Sequence, residues 1–223
     1  RLELSFTSLR RLPESLGDLR ALSQLSIDHT RTLQQLPESI GRLSRLRSID
    51  VRSCGLIGLP DSIGELPVAE LDLYDNRVVR LPASIGRMKL HRLGLCMNRL
   101  TELPDELEHL DELTTLELGD NAFTVLPGCV ARLPRLERLD IRQNAALDLA
   151  DACRKLQHVR TLRWLSISLE ERTALPDEMK TPPTYMDRVT MREEWLKARL
   201  ASLEATKPSL QALYAALTPE QKV

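Results

Sequence analysis

The 223-residue chain lacks most of what a catalytic or membrane protein would need. No apolar run approaches the roughly 20 residues of a bilayer-crossing helix, so no membrane span is expected. No secretory leader stands at its start. Basic and acidic side chains nearly cancel, 31 against 32, and the net charge of −1 gives no global pull toward nucleic acid or a charged lipid surface. The four cysteines (Cys54, Cys96, Cys129 and Cys153) lie far apart and form no C-x-x-C pair, which favours a reduced cytoplasmic environment. His29, His91, His109 and His158 are dispersed without the spacing of ligands on one helix, so no metal site is expected. Glycine-rich phosphate loops and a G-x-S-x-G elbow are absent. No cofactor and no enzymatic activity are expected of this chain.

What the chain has is a period. Leu93-Gly94-Leu95-Cys96-Met97-Asn98-Arg99-Leu100-Thr101-Glu102-Leu103-Pro104 reads L-x-L-x-x-N-x-L-x-x-L-P, and most of the chain repeats it. The Leu-Pro pair recurs at Leu12, Leu36, Leu59, Leu81, Leu103 and Leu126, in steps of 22 to 24 residues. Leu149 is followed by Ala150 instead of proline, and Leu175-Pro176 closes the series.

Each repeat opens with two aliphatic residues at i and i+2, which share one face of a strand because side chains alternate. Eight such pairs, from Leu2/Leu4 to Leu165/Ile167, predict eight parallel strands. Three residues after each pair stand Thr7, Thr30, Cys54, Asn76, Asn98, Asn121, Asn144 and Glu170. A buried Asn there satisfies backbone groups of neighbouring turns, so Asn76, Asn98, Asn121 and Asn144 are read as a structural ladder. The return segment L-P-x-x-[IL]-G-x-L predicts a short helix or 3₁₀ segment on the other side, with Leu16, Ile40, Ile63, Ile85, Leu107 and Val130 turned inward. Two coils are one residue shorter, at 66–68 and 88–90, away from the strands. Asp151 is read as the N-cap of a three-turn helix over Asp151–Thr161.

Glu170 and Arg172 break the pattern, as at a solenoid end that needs a polar cap. Thr181-Pro182-Pro183-Thr184 is a breaker. Beyond it, Val189, Leu196 and Leu203 recur every seven residues, and Leu210, Leu213, Tyr214 and Leu217 follow Pro208, predicting two amphipathic helices. The expected domains are 1–180, about eight repeats of 22–26 residues, and 181–223, a helical segment that caps the last coil or links to a further domain. Arg1-Leu2 opens inside a repeat, and Thr218-Pro219-Glu220-Gln221 reads as a helix start. A longer parent protein is therefore expected.

The outward side chains of the strands line up in columns. The first runs Gln24, Ser48, Glu70, Arg92, Thr115, Arg138 and Trp164; the second Ser26, Asp50, Asp72, Gly94, Glu117, Asp140 and Ser166. A third runs Asp28, Arg52, Tyr74, Cys96, Gly119, Arg142 and Ser168. Carboxylates stacked in the second column repel. Either Arg52, Arg92, Arg138 and Arg142 offset them, or an acidic stripe awaits a basic partner. Gly94, Cys96, Met97 and Gly119 suggest a small hollow beside Tyr74. The candidate partner-binding residues are Asp50, Glu70, Asp72, Tyr74, Arg92, Met97, Glu117, Arg138, Asp140, Arg142 and Trp164, with Tyr74, Met97, Arg92 and Asp72 at the centre and Trp164 as an outlying anchor.

Leu-Pro-Glu-Ser-Ile-Gly, Leu-Pro-Asp-Ser-Ile-Gly and Leu-Pro-Ala-Ser-Ile-Gly resemble the intracellular class of leucine-rich repeats. That class includes plant Ras-group-related proteins and type III effectors of bacterial pathogens. The resemblance, which covers residues 1 to about 180, implies an α/β fold, a right-handed horseshoe solenoid with a parallel sheet on its concave face; the C-terminal helical hairpin read from the pattern beyond it departs from that class. It implies a module that binds a protein partner, expected here through the concave face; a monomer is expected, in the cytoplasm or, for an effector, in the host cytosol. Two alternatives stand beside it. One is the substrate-binding domain of a ubiquitin ligase whose catalytic domain lies outside this chain; the other is a structural or self-associating solenoid.

Overall fold

The computed structural model describes residues 1–167. They form an open, eight-stranded parallel sheet: β1 (Leu2–Ser5), β2 (Gln24–Asp28), β3 (Ser48–Arg52), β4 (Glu70–Asp72), β5 (Arg92–Gly94), β6 (Thr115–Glu117), β7 (Arg138–Asp140) and β8 (Trp164–Ser166). Strand order follows sequence order, so each coil of the chain pairs only with the coils before and after it. The aliphatic pairs set this register. Leu25, Ile49, Leu71, Leu93, Leu116 and Leu139 stand opposite one another and are all at most 1% exposed. On β1, which has one neighbouring strand, Leu2 and Leu4 are only partly buried.

Six Leu-Pro steps each lead into a five-residue 3₁₀ helix, beginning at Glu14, Glu38, Asp61, Ala83, Asp105 and Gly128. Proline presets the backbone there, and its carbonyl accepts from the N–H three residues on, as Pro82 does from Ile85 at 3.1 Å. Leu16, Ile40, Ile63, Ile85, Leu107 and Val130 point from these segments into the core. Successive coils nearly touch there: a Cβ on Gly64 would lie 2.3 Å from the Ser84 carbonyl oxygen. The two shortened coils leave their 3₁₀ helix through an extended residue, Leu66 (ψ 132°) and Met88 (ψ 160°); of the longer coils, those at Leu19 (ψ 55°) and Leu43 (ψ 66°) bend, while Leu133, which like Leu66 precedes a proline, is also extended (ψ 120°). The missing residue is absorbed away from the sheet.

The helix in the long return before β8 differs from expectation. It is α1 (Leu149–Leu156), starting earlier and running two turns instead of three. Asp148, not Asp151, is the N-cap, its carboxylate accepting from the Asp151 N–H at 2.9 Å. Both aspartates are competent caps by residue type. Tertiary bonds decide between them: the N–H groups of Leu147 and Asp148 are tied to the Asn144 and Thr124 carbonyls, which fixes the chain just ahead of the helix. The expected hairpin over 181–223, and the break at Glu170 and Arg172, lie outside the described residues.

Candidate interaction surface

The open face of the sheet is positioned by two devices that recur in each coil. One is the asparagine slot. Asn98 Oδ1 accepts from the Val78 N–H at 2.9 Å, while its Nδ2 donates to the carbonyls of Leu73, Leu95 and Cys96 at 2.9, 3.1 and 3.2 Å. Asn76, Asn121 and Asn144 make the equivalent bonds one coil away each time. Cys54 fills the slot with a thiol that donates to the Arg52 carbonyl at 3.2 Å.

The second device lies in the residue beyond the third column. Phe6, His29, Ser53, Asp75, Met97, Asp120 and Gln143 all have left-handed backbones, with φ between 49° and 56°. Their N–H groups reach the next coil: Asp75 to the Cys96 carbonyl at 3.1 Å, Met97 to Gly119 at 3.0 Å, Asp120 to Arg142 at 2.8 Å. Pairing thus continues past the strands and holds the third column in register. The sequence gives little sign of it. Asp tolerates this conformation, but Phe6, Met97 and Gln143 are ordinary side chains for which it is costly. The one usable signal is positional, since these residues directly precede the Asn slot.

The second column brings like charges together: Asp50 stands opposite Asp72, and Glu117 opposite Asp140. Arginines from the adjacent columns clamp them. Arg52 reaches Asp50 at 3.0 Å and Asp72 at 2.8 Å. Arg92 reaches back to Asp72 at 3.3 Å and forward to Glu117 at 2.8 Å. Arg142 grips Asp140 with two nitrogens, at 3.0 and 2.6 Å. Arg138 forms no ion pair among the described residues. Burial, only partly countered by Arg52, pushes the Asp50 carboxyl up, with Asp72 and Asp28 adding to the rise. Burial alone would lower the Arg92 guanidinium, but its bonds to Glu117 and the charge of Asp72 hold it above its ordinary value. Asp72 is the hub. It is 7% exposed and also accepts from the Tyr74 N–H at 3.0 Å.

The hollow expected beside Tyr74 is largely filled. Gly94 and Gly119 are buried, and a Cβ on Gly94 would meet Asp72 Oδ1 at 3.0 Å and Glu117 Oε2 at 3.3 Å. The small residue makes room for two carboxylates gathered by Arg92. Cys96 is half-buried, its thiol pushed up to about 11 by burial and then by the Asp140 charge, which leaves it a poor nucleophile at neutral pH. Tyr74 and Met97, by contrast, are 43% and 40% exposed, and Trp164 is 64% exposed on β8. Phe6, which the sequence reading passed over, is 77% exposed and stacks on His29 with ring centroids 4.7 Å apart. Glu70 and Asp120 are exposed and form no ion pair among the described residues. No described helix is long and apolar enough to cross a membrane, and no described His, Cys, Asp and Glu gather in a metal-binding group.

Comparison with known proteins agrees with this geometry. Residues 88–145 match the leucine rich repeat family, and the repeat and open parallel sheet are those of a leucine-rich-repeat solenoid fold. Residues 137–223 match a second model, that of the LTXXQ motif family protein, and Leu217-Thr218-Pro219-Glu220-Gln221 spells that motif. No curated protein sequence matches the chain. Among solved structures, the leucine-rich repeat domain of the type III effector XopL is similar at 25% identity, covering 66% of this chain and 53% of that one, with a TM-score of 0.55. The functional domain of InlJ from Listeria monocytogenes aligns at 19% identity over 74% of this chain and 34% of its own, TM-score 0.56. The plant peptide hormone receptor RGFR1, solved in complex with RGF2, aligns at 22% identity over 74% and 35%, TM-score 0.50. The chain thus spans between about a third and a half of these proteins' lengths.

Proposed function

We propose that this chain is a protein-interaction module that recognises a partner protein through the open, concave face of its sheet. One observation carries the reading: Tyr74 and Met97 stand exposed on neighbouring coils, beside charged side chains of which Arg52, Asp72, Arg92 and Glu117 are already engaged with one another. An apolar and aromatic centre within a polar rim is the anatomy of an interface hot spot. Arg92 and Asp72 hold that centre rigid, Asp50, Glu70, Glu117, Arg138, Asp140 and Arg142 form its rim, and Trp164 serves as a second anchor at the far end. The proposed division is a repeat domain over 1–180 followed by a helical segment over 181–223; the second family match begins at residue 137, within the repeats, and does not mark that boundary. Likeness to a type III effector's repeat domain favours a recognition domain of a secreted effector working inside a host cell.

Affinity capture from host-cell lysate, run beside a Tyr74→Ala/Met97→Gly variant with an unchanged melting temperature, tests the surface. A partner lost by the variant places recognition at this centre. A partner held equally by both forms overturns the reading.

A further inference from the structure

We infer that the Tyr74–Met97 patch is a seat for a basic side chain of the partner, an arginine or lysine whose stem lies along Met97 and Tyr74 and whose cationic head is shared by Asp75 and Asp120. The inference rests on the concave-face reading and adds the chemistry of what that face selects.

Asp75, Met97 and Asp120 occupy the same position on three successive coils. Each N–H reaches the carbonyl one coil further on, at 3.1, 3.0 and 2.8 Å, and their φ values are 52°, 55° and 52°. Identical backbone conformations give the three side chains a common heading. Coils spaced about 4.8 Å apart put the backbone of an aspartate roughly 5 Å to either side of that of Met97. Long cationic side chains favour such a setting, because the methylene stem covers apolar surface while the head stays with charge, and an exposed aromatic ring such as that of Tyr74 attracts a cation as well.

The charge inventory points the same way. Three arginines of the open face are committed elsewhere: Arg52 and Arg92 bridge carboxylates of the second column, and Arg142 is bound twice by Asp140. Asp120 is exposed without an ion pair among the described residues. Asp75 has only a 3.9 Å contact with Arg31, whose side chain is 73% exposed and easily displaced.

The test is an NMR titration of the full chain with the capped peptide Gly-Arg-Gly-Arg-Gly and a twin carrying citrulline for arginine, which keeps the shape and removes the charge. Shifts should cluster on 74–76, 96–98 and 119–121 with the arginine peptide and vanish with the twin. Asp75→Asn/Asp120→Asn should weaken binding at least tenfold. Asparagine tolerates the left-handed backbone, so this variant keeps its fold and its melting temperature. Equal shifts with the citrulline twin, or unchanged affinity in the double variant, would overturn the seat. Captured protein partners separate the two levels. A partner lost by Tyr74→Ala/Met97→Gly but retained by Asp75→Asn/Asp120→Asn removes the basic-residue seat and leaves the concave surface standing; one retained by both variants removes the surface reading itself.

Discussion

Arg52 donates to Asp72 at 2.8 Å across one coil step, and the same guanidinium holds Asp50, the like charge opposite Asp72, at 3.0 Å. The acidic column is therefore stabilised from within before any partner arrives. Asp72→Ala would leave donors of Arg52, Arg92 and the Tyr74 N–H without their acceptor, on a residue only 7% exposed. We expect a loss of about 1–3 kcal/mol in urea denaturation. Glu70→Lys, on an exposed residue in the neighbouring column, should stay within about 0.5 kcal/mol of the parent. If Asp72→Ala proved equally harmless, the clamps would add nothing to the fold.

Asn98→Ala deletes four bonds at once and leaves the Val78 N–H and a share of three carbonyls unmatched inside the solenoid. The expected cost is more than about 1 kcal/mol. Because each coil rests only on its neighbours, hydrogen exchange should quicken most in the coils that contain Val78 and Leu95. Uniform quickening along the whole chain would contradict that local picture.

The sheet, its register and the return segments were legible because each rests on a strict rule: alternation fixes the strand faces, Leu-Pro fixes the turn, and the repeat multiplies both. The features that were not legible depend on contacts between coils. Nothing in the letters distinguishes Asp148 from Asp151 as a cap until the Thr124 carbonyl is seen to hold the Asp148 N–H. The glycines of the open face suggested space, yet Gly94 is covered because Arg92 draws Asp72 and Glu117 over it. Met97 gives no sign of its left-handed backbone, which the pairing beyond the strand imposes. Of the candidate surface, the columns could be read, but the direction in which each arginine turns could not.

Gly64 and Ser84 meet where two 3₁₀ segments pass, and they should respond to alanine in opposite ways. A Cβ at Gly64 would lie 2.3 Å from the Ser84 carbonyl oxygen, a rigid obstacle, so Gly64→Ala should cost roughly 1–3 kcal/mol through overpacking. The Ser84 hydroxyl is buried with no hydrogen-bond partner among the described residues, as are those of Ser39 and Ser62. Ser84→Ala removes an unmet polar group and should be neutral or stabilising in thermal melts. Destabilisation by Ser84→Ala would mean that the hydroxyl has a partner, such as an ordered water.

Cys96 and Cys129 should make the protein less stable in alkali. Burial pushes both thiols from an ordinary 9.0 up to about 11, so the folded state keeps protons that the unfolded chain releases. A raised acid pKa favours the folded state fully below pH 9, and that advantage is lost as pH climbs through about 11. The melting temperature should fall across this window, and more steeply than in a Cys96→Ser/Cys129→Ala variant, which retains every other titrating group. Iodoacetamide should label the folded protein's Cys96 slowly at pH 8 and faster as pH approaches 11. Equal alkaline slopes in the two forms would rule out the thiols as the cause.

Met97 separates fold from recognition more cleanly than any other position on the open face. Its backbone sits at φ 55°, which costs a non-glycine residue roughly 1–2 kcal/mol, while its side chain is 40% exposed. Glycine relieves the strain and gives back about 0.5–1 kcal/mol in unfolded-state entropy, so Met97→Gly should leave stability unchanged or slightly raised. Valine, β-branched, should lower it by about 1 kcal/mol or more. If the exposed thioether anchors a partner, Met97→Gly abolishes capture in a protein that melts no lower than its parent. A glycine variant that melts much lower would assign Met97 to the core, and the surface argument would then have to stand on Tyr74 alone.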